Sequence, residues 1–151
     1  MRVFLPVLFL TLALYVSCKK EQDPYSFKEE SLLKLINQHR EEIGLQPLQM
    51  NEFIYTKAKE HAENMAKGLV TYSHEGYFDR YNQIKEHIPN VTGGGENILY
   101  GPDTPEAVLE AWLLSTDHKK NIEGDFNLTG LAMVKDKDGN YFYTQIFIRK
   151  E

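Results

Sequence analysis

Apolar residues recur every three to four positions through most of the first two thirds of the chain, then at strand-like spacing in the last third. Ser26-Phe27-Lys28-Glu29 has the form of a capping box, and Leu32, Ile36, His39 and Ile43 follow at helical spacing before the stop signal Gly44. This predicts a helix over 27–43, with Asn37 and Arg40 on it. Pro47 disfavours the helical conformation at Gln46, so Leu45-Gln46-Pro47-Leu48 reads as an extended connector. Asn51 caps a second run, and Ile54, Ala58, Ala62, Met65 and Leu69 form its apolar stripe, predicting a helix over 51–67. Val70 to Gly76 breaks the period and reads as a loop, and a third helix spans 78–88, closed by Pro89. Thr104-Pro105-Glu106 opens a fourth helix, over 105–116, whose large aromatic Trp112 is expected in the core. Leu131–Val134 and Tyr141–Ile148 are β-rich runs joined by Asp136-Lys137-Asp138-Gly139-Asn140, an antiparallel hairpin within 129–149. A lone hairpin needs a further strand, and Ile98–Tyr100 can supply it.

The stretch ahead of that strand is Gly93-Gly94-Gly95-Glu96-Asn97-Ile98-Leu99-Tyr100-Gly101. Two readings fit it. One is a glycine-walled acid held in a cleft and leading into a buried strand. The other is a flexible loop ahead of an edge strand. With 151 residues and 42% hydrophobic content, the chain suits one domain with a real core. One of its 17 basic residues is Arg2, so the rest of the chain sets 16 basic against 22 acidic residues and lacks the basic face of a nucleic-acid binder.

Residues 1–17 comprise Met1-Arg2, an apolar run from Val3 to Val16, and Ser17, the pattern of a signal peptide. The run is short for a spanning helix, which needs about 20 apolar residues. The sole cysteine, Cys18, stands directly after Ser17. This resembles a bacterial lipoprotein signal, in which cleavage precedes a cysteine that carries lipid, although Tyr15 stands where leucine is usual. The expected organisation is a signal peptide over 1–17, a tether over 18–26 anchored by lipidated Cys18, and a domain over 27–151. The resemblance implies a bacterial cell-envelope location, extracytoplasmic and lipid-anchored, with the membrane as a partner.

Several short patterns lie along the domain in a fixed order. They are Asn37-x-x-Arg40 with Gly44-Leu45-x-Pro47-Leu48, Ala62-x-x-Met65-Ala66, Tyr72-Ser73-His74, Gly95-Glu96-Asn97-Ile98, and Thr104-Pro105-Glu106. Then come Ala111-Trp112-x-x-Ser115-x-x-His118-x-x-Asn121-Ile122, Gly130-Leu131-Ala132 and Tyr143-Thr144-Gln145-Ile146-Phe147. In this order they resemble the CAP superfamily (SCP/TAPS, pathogenesis-related-1-like), in its short bacterial form. The resemblance implies an α+β fold, a three-layer α-β-α sandwich with a small central antiparallel sheet. It also implies a cleft of histidines and acids that in many members holds a divalent metal. Carried over by position, His74, Glu96 and His118 become the candidate ligands for a metal such as Zn, and Ser115 and Asn97 become cleft-lining residues. Phe142 stands where other members place a histidine, Ser115 stands near their second glutamate, and their disulfide cysteines are absent. His39, His61 and His87 read as helix-surface or partly buried histidines rather than ligands.

Two functions follow. The preferred one is a binding module whose cleft takes a small molecule, a lipid or other envelope ligand, or a metal. The alternative is a metal-assisted hydrolase using the same cleft, with two histidines and a carboxylate leaving a position for water. Ser115 and His118 have the helical spacing of a nucleophile and base, but the sequence holds no nucleophile elbow and no His-Glu-x-x-His.

Overall fold

In a computed structural model that describes residues 25–151, the centre of the sheet is β4 (Tyr141–Lys150). It pairs antiparallel with β3 (Leu128–Lys135) on one side and β2 (Val91–Gly101) on the other. The predicted hairpin and its third strand are therefore present. The fourth strand, β1 (Gln49–Met50), pairs parallel with β3, so the sheet is mixed rather than purely antiparallel. The chain emerges extended from Pro47, and the N–H groups of Gln49 and Asn51 then donate to the carbonyls of Asn127 and Thr129 along the edge of β3. The leader and Cys18 lie outside the described residues.

Strand alternation sorts the core into two layers. Leu131, Tyr143 and Phe147 face α1 (Phe27–Glu42) and α4 (Pro105–Leu114), packing with Leu32, Ile36, Val108 and Trp112; Ile122 of α5 (Thr116–Ile122) joins them. Ala132, Ile146 and Ile148 face α2 (Glu52–Ala66) and α3 (Tyr77–His87), packing with Ile54, Ala58, Ile84 and Ile88. The result is an α-β-α sandwich. Trp112 is fully buried, as expected, with its Nε1 donating to the Ile98 carbonyl at 3.4 Å. The first turn of α2 lies directly on β3, and a Cβ at Gly130 would stand 2.2 Å from the backbone of Ile54 and Tyr55. The capping box forms as the sequence predicts, and Glu29 serves twice: one carboxylate oxygen accepts from Ser26 N, the other from Met133 N, beyond the end of β1.

The fourth predicted helix divides. Ser115 adopts an extended conformation (φ −93°, ψ 123°), so α4 ends at Leu114 and the separate seven-residue α5 begins at Thr116. His118 therefore belongs to a short helix with its own orientation, and Ser115 and His118 do not share one helix face.

Candidate functional site

Gly93, Gly94 and Gly95 lie within β2 and none has a positive φ. They form neither a loop nor a special turn; they permit close approach. A Cβ on Gly94 would meet the Tyr81 ring at 2.7 Å, and one on Gly95 would meet Asn121 Oδ1 at 2.7 Å. The missing side chains thus let α3 close on one face of the edge strand and α5 on the other. The edge is covered as well, because Asn121 donates to the Glu96 carbonyl and Trp112 to that of Ile98, groups that an open edge would leave free.

The residues after the glycines alternate across the sheet. Glu96 points toward α3 and the 67–76 loop, with only 2% of its side chain exposed. Its carboxylate receives Arg80 as a fork: Nε to Oε2 at 3.0 Å, and Nη2 to Oε2 and Oε1 at 2.8 and 2.9 Å. His74 adds Nδ1 to Oε1 at 2.9 Å. A carboxylate paired with a guanidinium only accepts hydrogen bonds, so neutral His74 carries its proton on Nδ1 and presents the lone pair on Nε2 outward. The His74 side chain is 51% exposed and the Arg80 side chain 12%. Gly76 sits at φ 74°, in the left-handed region, turning the chain into α3 so that Arg80 can also donate from Nη1 to the Glu75 carbonyl at 2.8 Å.

Asn97 points to the other layer and is fully buried. Its Nδ2 donates to the His118 carbonyl at 3.0 Å, and its Oδ1 accepts from Asn121 Nδ2 at 2.8 Å. It stands behind the predicted cleft and fixes α5 rather than facing a ligand. Arg40 fixes the far end of α5 by donating to the carbonyls of Ile122 and Gly124 at 2.6 and 2.9 Å. Burial and then the nearby His74 push the His118 pKa below the ordinary imidazole value, against the pull of Asp117. The Ser115 hydroxyl and the His118 ring share no hydrogen bond.

Two further groups surround the cluster. His61 is buried, with Nε2 donating to the Ser73 carbonyl at 2.9 Å. Burial and then Arg80 push its pKa down, while Glu96 opposes them. Tyr77 is pushed up to about 12, by burial first and the Glu96 charge second, and so remains a neutral hydroxyl. Behind Arg80 lies a cavity of about 240 Å³ lined by His61, Glu75 and Gln83 among others. Two residues before His74 in the chain, Tyr72 meets the rings of Tyr100 and Phe142, with centroids 4.8–6.5 Å apart, and Tyr72 and Tyr100 are exposed.

The structure therefore joins His74 to Glu96 directly and sets His118 near His74. The position missed from sequence is Arg80. Its signal was available: Tyr77, Tyr81 and Ile84 lie on the inward side of α3, and Arg80 falls among them at i+3 from Tyr77 and i−4 from Ile84. An arginine on such a stripe calls for a buried acidic partner.

These residues do not fit a three-donor metal site as they stand. Both oxygens of Glu96 are already engaged, by the Nε and Nη2 groups of Arg80 and by Nδ1 of His74. Among the described residues, no group of three or more His, Cys, Asp or Glu side chains is arranged to hold an ion.

The sequence profile of the CAP, or cysteine-rich secretory protein, family matches residues 33–147. The chain belongs to this family. Despite the family's name, it contains a single cysteine. The CAP-domain chain is 32% identical over 124 residues to the uncharacterized protein YkwD of Bacillus subtilis (strain 168); the match covers 81% of this chain and 47% of that protein, so the chain spans about half the length of this relative. Among solved structures, it resembles an extracellular protein containing an SCP domain from Bacillus anthracis str. Ames, with TM-score 0.68 and 28% identity over 82% of this chain and 40% of that one. It also resembles an outer surface protein from Borrelia burgdorferi, with TM-score 0.69 and 21% identity over 81% of this chain and 92% of that one, a likeness of fold alone.

Proposed function

We propose that this CAP domain is an extracytoplasmic binding module, anchored to a membrane through lipidated Cys18, whose cleft takes a small amphiphilic ligand. The observation that carries the reading is the outward Nε2 of His74. Glu96 fixes that ring from behind, and a fixed lone pair at the surface accepts a hydrogen bond from a ligand hydroxyl. The exposed rings of Tyr72, two residues before it, and of Tyr100 offer a shelf for an apolar chain. The cell-envelope location is supported by the family's secretory description and by the extracellular Bacillus anthracis relative.

One observation favours a second reading, a hydrolase. A histidine oriented by a carboxylate is also the form of a general base, with Glu96 holding the tautomer that leaves Nε2 free to take a proton. It requires a nucleophile or an activated water near Nε2, and Ser115 makes no hydrogen bond to either histidine.

Isothermal titration of the full chain in detergent with dodecanol and with dodecanoate, at pH 8, tests the binding reading. Saturable binding, tighter for the alcohol and lost in His74→Ala, is expected. Failure of both probes to bind, or undiminished binding in His74→Ala, overturns it. Anchoring is tested by metabolic labelling with a fatty-acid analogue, expected in wild type and absent in Cys18→Ala.

A further inference from the structure

The cation that the Glu96 carboxylate requires is supplied by the protein itself. A buried carboxylate with 2% of its side chain exposed needs a positive partner, and a metal ion could have been that partner. Here the Arg80 fork makes three contacts of 2.8–3.0 Å with the carboxylate. The fourth contact is His74 Nδ1, so both carboxylate oxygens are engaged. The fork is anchored in turn. Nη1 is committed to the Glu75 carbonyl, and Gly76 leaves it room, since even a Cβ at that position would come within 3.2 Å of Nη1. Arg80 also rises from the helix turn that packs Tyr77 and Tyr81 against Gly94.

We propose that Arg80 is the specificity-determining residue of this cleft: it excludes Glu96 from metal coordination and dedicates the carboxylate to orienting His74. Glu96 is then a positioning residue. What the cleft offers a ligand is an imidazole lone pair at His74 and a second imidazole at His118, with the Glu96 carboxylate already engaged. A divalent cation, which seeks charged oxygen as well as nitrogen donors, finds the Glu96 oxygens already held by Arg80 and His74. A neutral hydrogen-bond donor meets a prepared acceptor. The charge of the pair is cancelled inside the wall of the cleft. This inference rests on reading the cleft as a binding site, yet the two fail separately, because its test reads the state of the wall and needs no organic ligand.

The test is calorimetric zinc titration of the full chain at pH 7.5 in four forms: wild type, Arg80→Gln, Arg80→Lys and Arg80→Gln/Glu96→Gln. Freeing the carboxylate should create a donor. Arg80→Gln is expected to tighten zinc binding at least tenfold, Arg80→Lys by less, and the double variant should lose the gain. Zinc affinity unchanged or weakened in Arg80→Gln overturns the proposal. Should that variant not fold, nitrogen-15 NMR of wild-type imidazoles decides the matter. His74 is expected to be protonated at Nδ1 and to keep that proton at saturating zinc. Protonation at Nε2 in the absence of zinc, or loss of the Nδ1 proton when zinc is added, means that Glu96 is not committed as described and overturns the proposal.

Discussion

Two arginines are drawn into this small domain, and their surroundings differ. Arg40, 1% exposed, reaches from α1 into a ring of neutral backbone: Nε donates to the Gln46 carbonyl, Nη1 to those of Ile122 and Gly124, and Nη2 to that of Phe126. Arg80 reaches from α3 onto a single carboxylate. One cation is solvated by peptide dipoles, and the other is neutralised by an opposite charge. Arg40 receives only weak help from charge: burial pushes its pKa down and Asp125 opposes that, but a guanidinium stays protonated under either influence. The dipole cage gathers three chain segments and holds the end of α5, while the ion pair sets the tautomer of a surface histidine. The first arginine builds the support for the cleft and the second determines its chemistry.

Substitution separates the two most sharply through reversibility. Arg40→Met strands four carbonyls that belong to the backbone and cannot be mutated away, so a loss of about 3–5 kcal/mol is expected in urea unfolding. No single second substitution should restore it. Arg80→Met leaves one buried charge unpaired, with His74 still attached, and should cost somewhat less, about 2–4 kcal/mol. Here the damage lies in a side chain. Arg80→Met/Glu96→Leu should recover at least half of the loss, because an apolar pair of similar volume is often no worse than a buried ion pair. Equal recovery at both sites, or at neither, would erase the distinction.

The same contrast explains what could be read in the sequence. Asn37-x-x-Arg40 was visible as a pattern, but its meaning lies in carbonyls as distant as Phe126, whose position no local spacing encodes. The capping box, the proline-started helix and the hairpin were legible because each rests on residues within one turn or one strand pair. The triple glycine left two readings open, and the choice between them could not be made locally. Its purpose is set by Tyr81 and Asn121, contributed by other elements, and conformational freedom does not enter. The break at Ser115 was hidden for a similar reason, since helical spacing runs through it while the buried tie from Asn97 to the His118 carbonyl fixes α5 separately. His74 and Glu96 could be paired only through the resemblance to a family. Arg80 was within reach of a stricter look at the α3 stripe.

A smaller effect distinguishes the two regions by pH. His61 and His118 both surround the Arg80 side, and both have pKa values below the ordinary imidazole value of 6.5. His61 faces Arg80, Glu96 and His74; His118 faces His74 and Asp117. A group whose folded pKa is depressed binds its proton more readily when unfolded, so stability is complete above 6.5 and declines as pH falls from there toward the folded values. Denaturant midpoints should therefore drop as pH falls below about 6.5. His118→Asn should flatten part of the slope.

The smallest expected effect concerns Ser115, which sits between the two regions and starts the helix that Arg40 ends. Serine at a helix N-cap is ordinarily worth about 1 kcal/mol over alanine, because its hydroxyl accepts from the first turn. Here the hydroxyl makes no such bond, and the Ser115 carbonyl, which alanine would keep, accepts from Lys119 N at 2.8 Å. The position of α5 depends instead on Arg40 at its C-terminal end and on Asn97 at the His118 carbonyl. Ser115→Ala should thus change unfolding free energy by less than about 0.5 kcal/mol, the range of an ordinary surface change. Ligand binding in the cleft should persist in the same variant. If Ser115 were instead a nucleophile activated by His118, stability would still be unaffected, but any hydrolysis of a p-nitrophenyl ester by the wild type would vanish in Ser115→Ala and survive in Ser31→Ala, a control on α1. Equal rates in the two variants leave the chemistry of this cleft with His74 and the arginine-held carboxylate behind it.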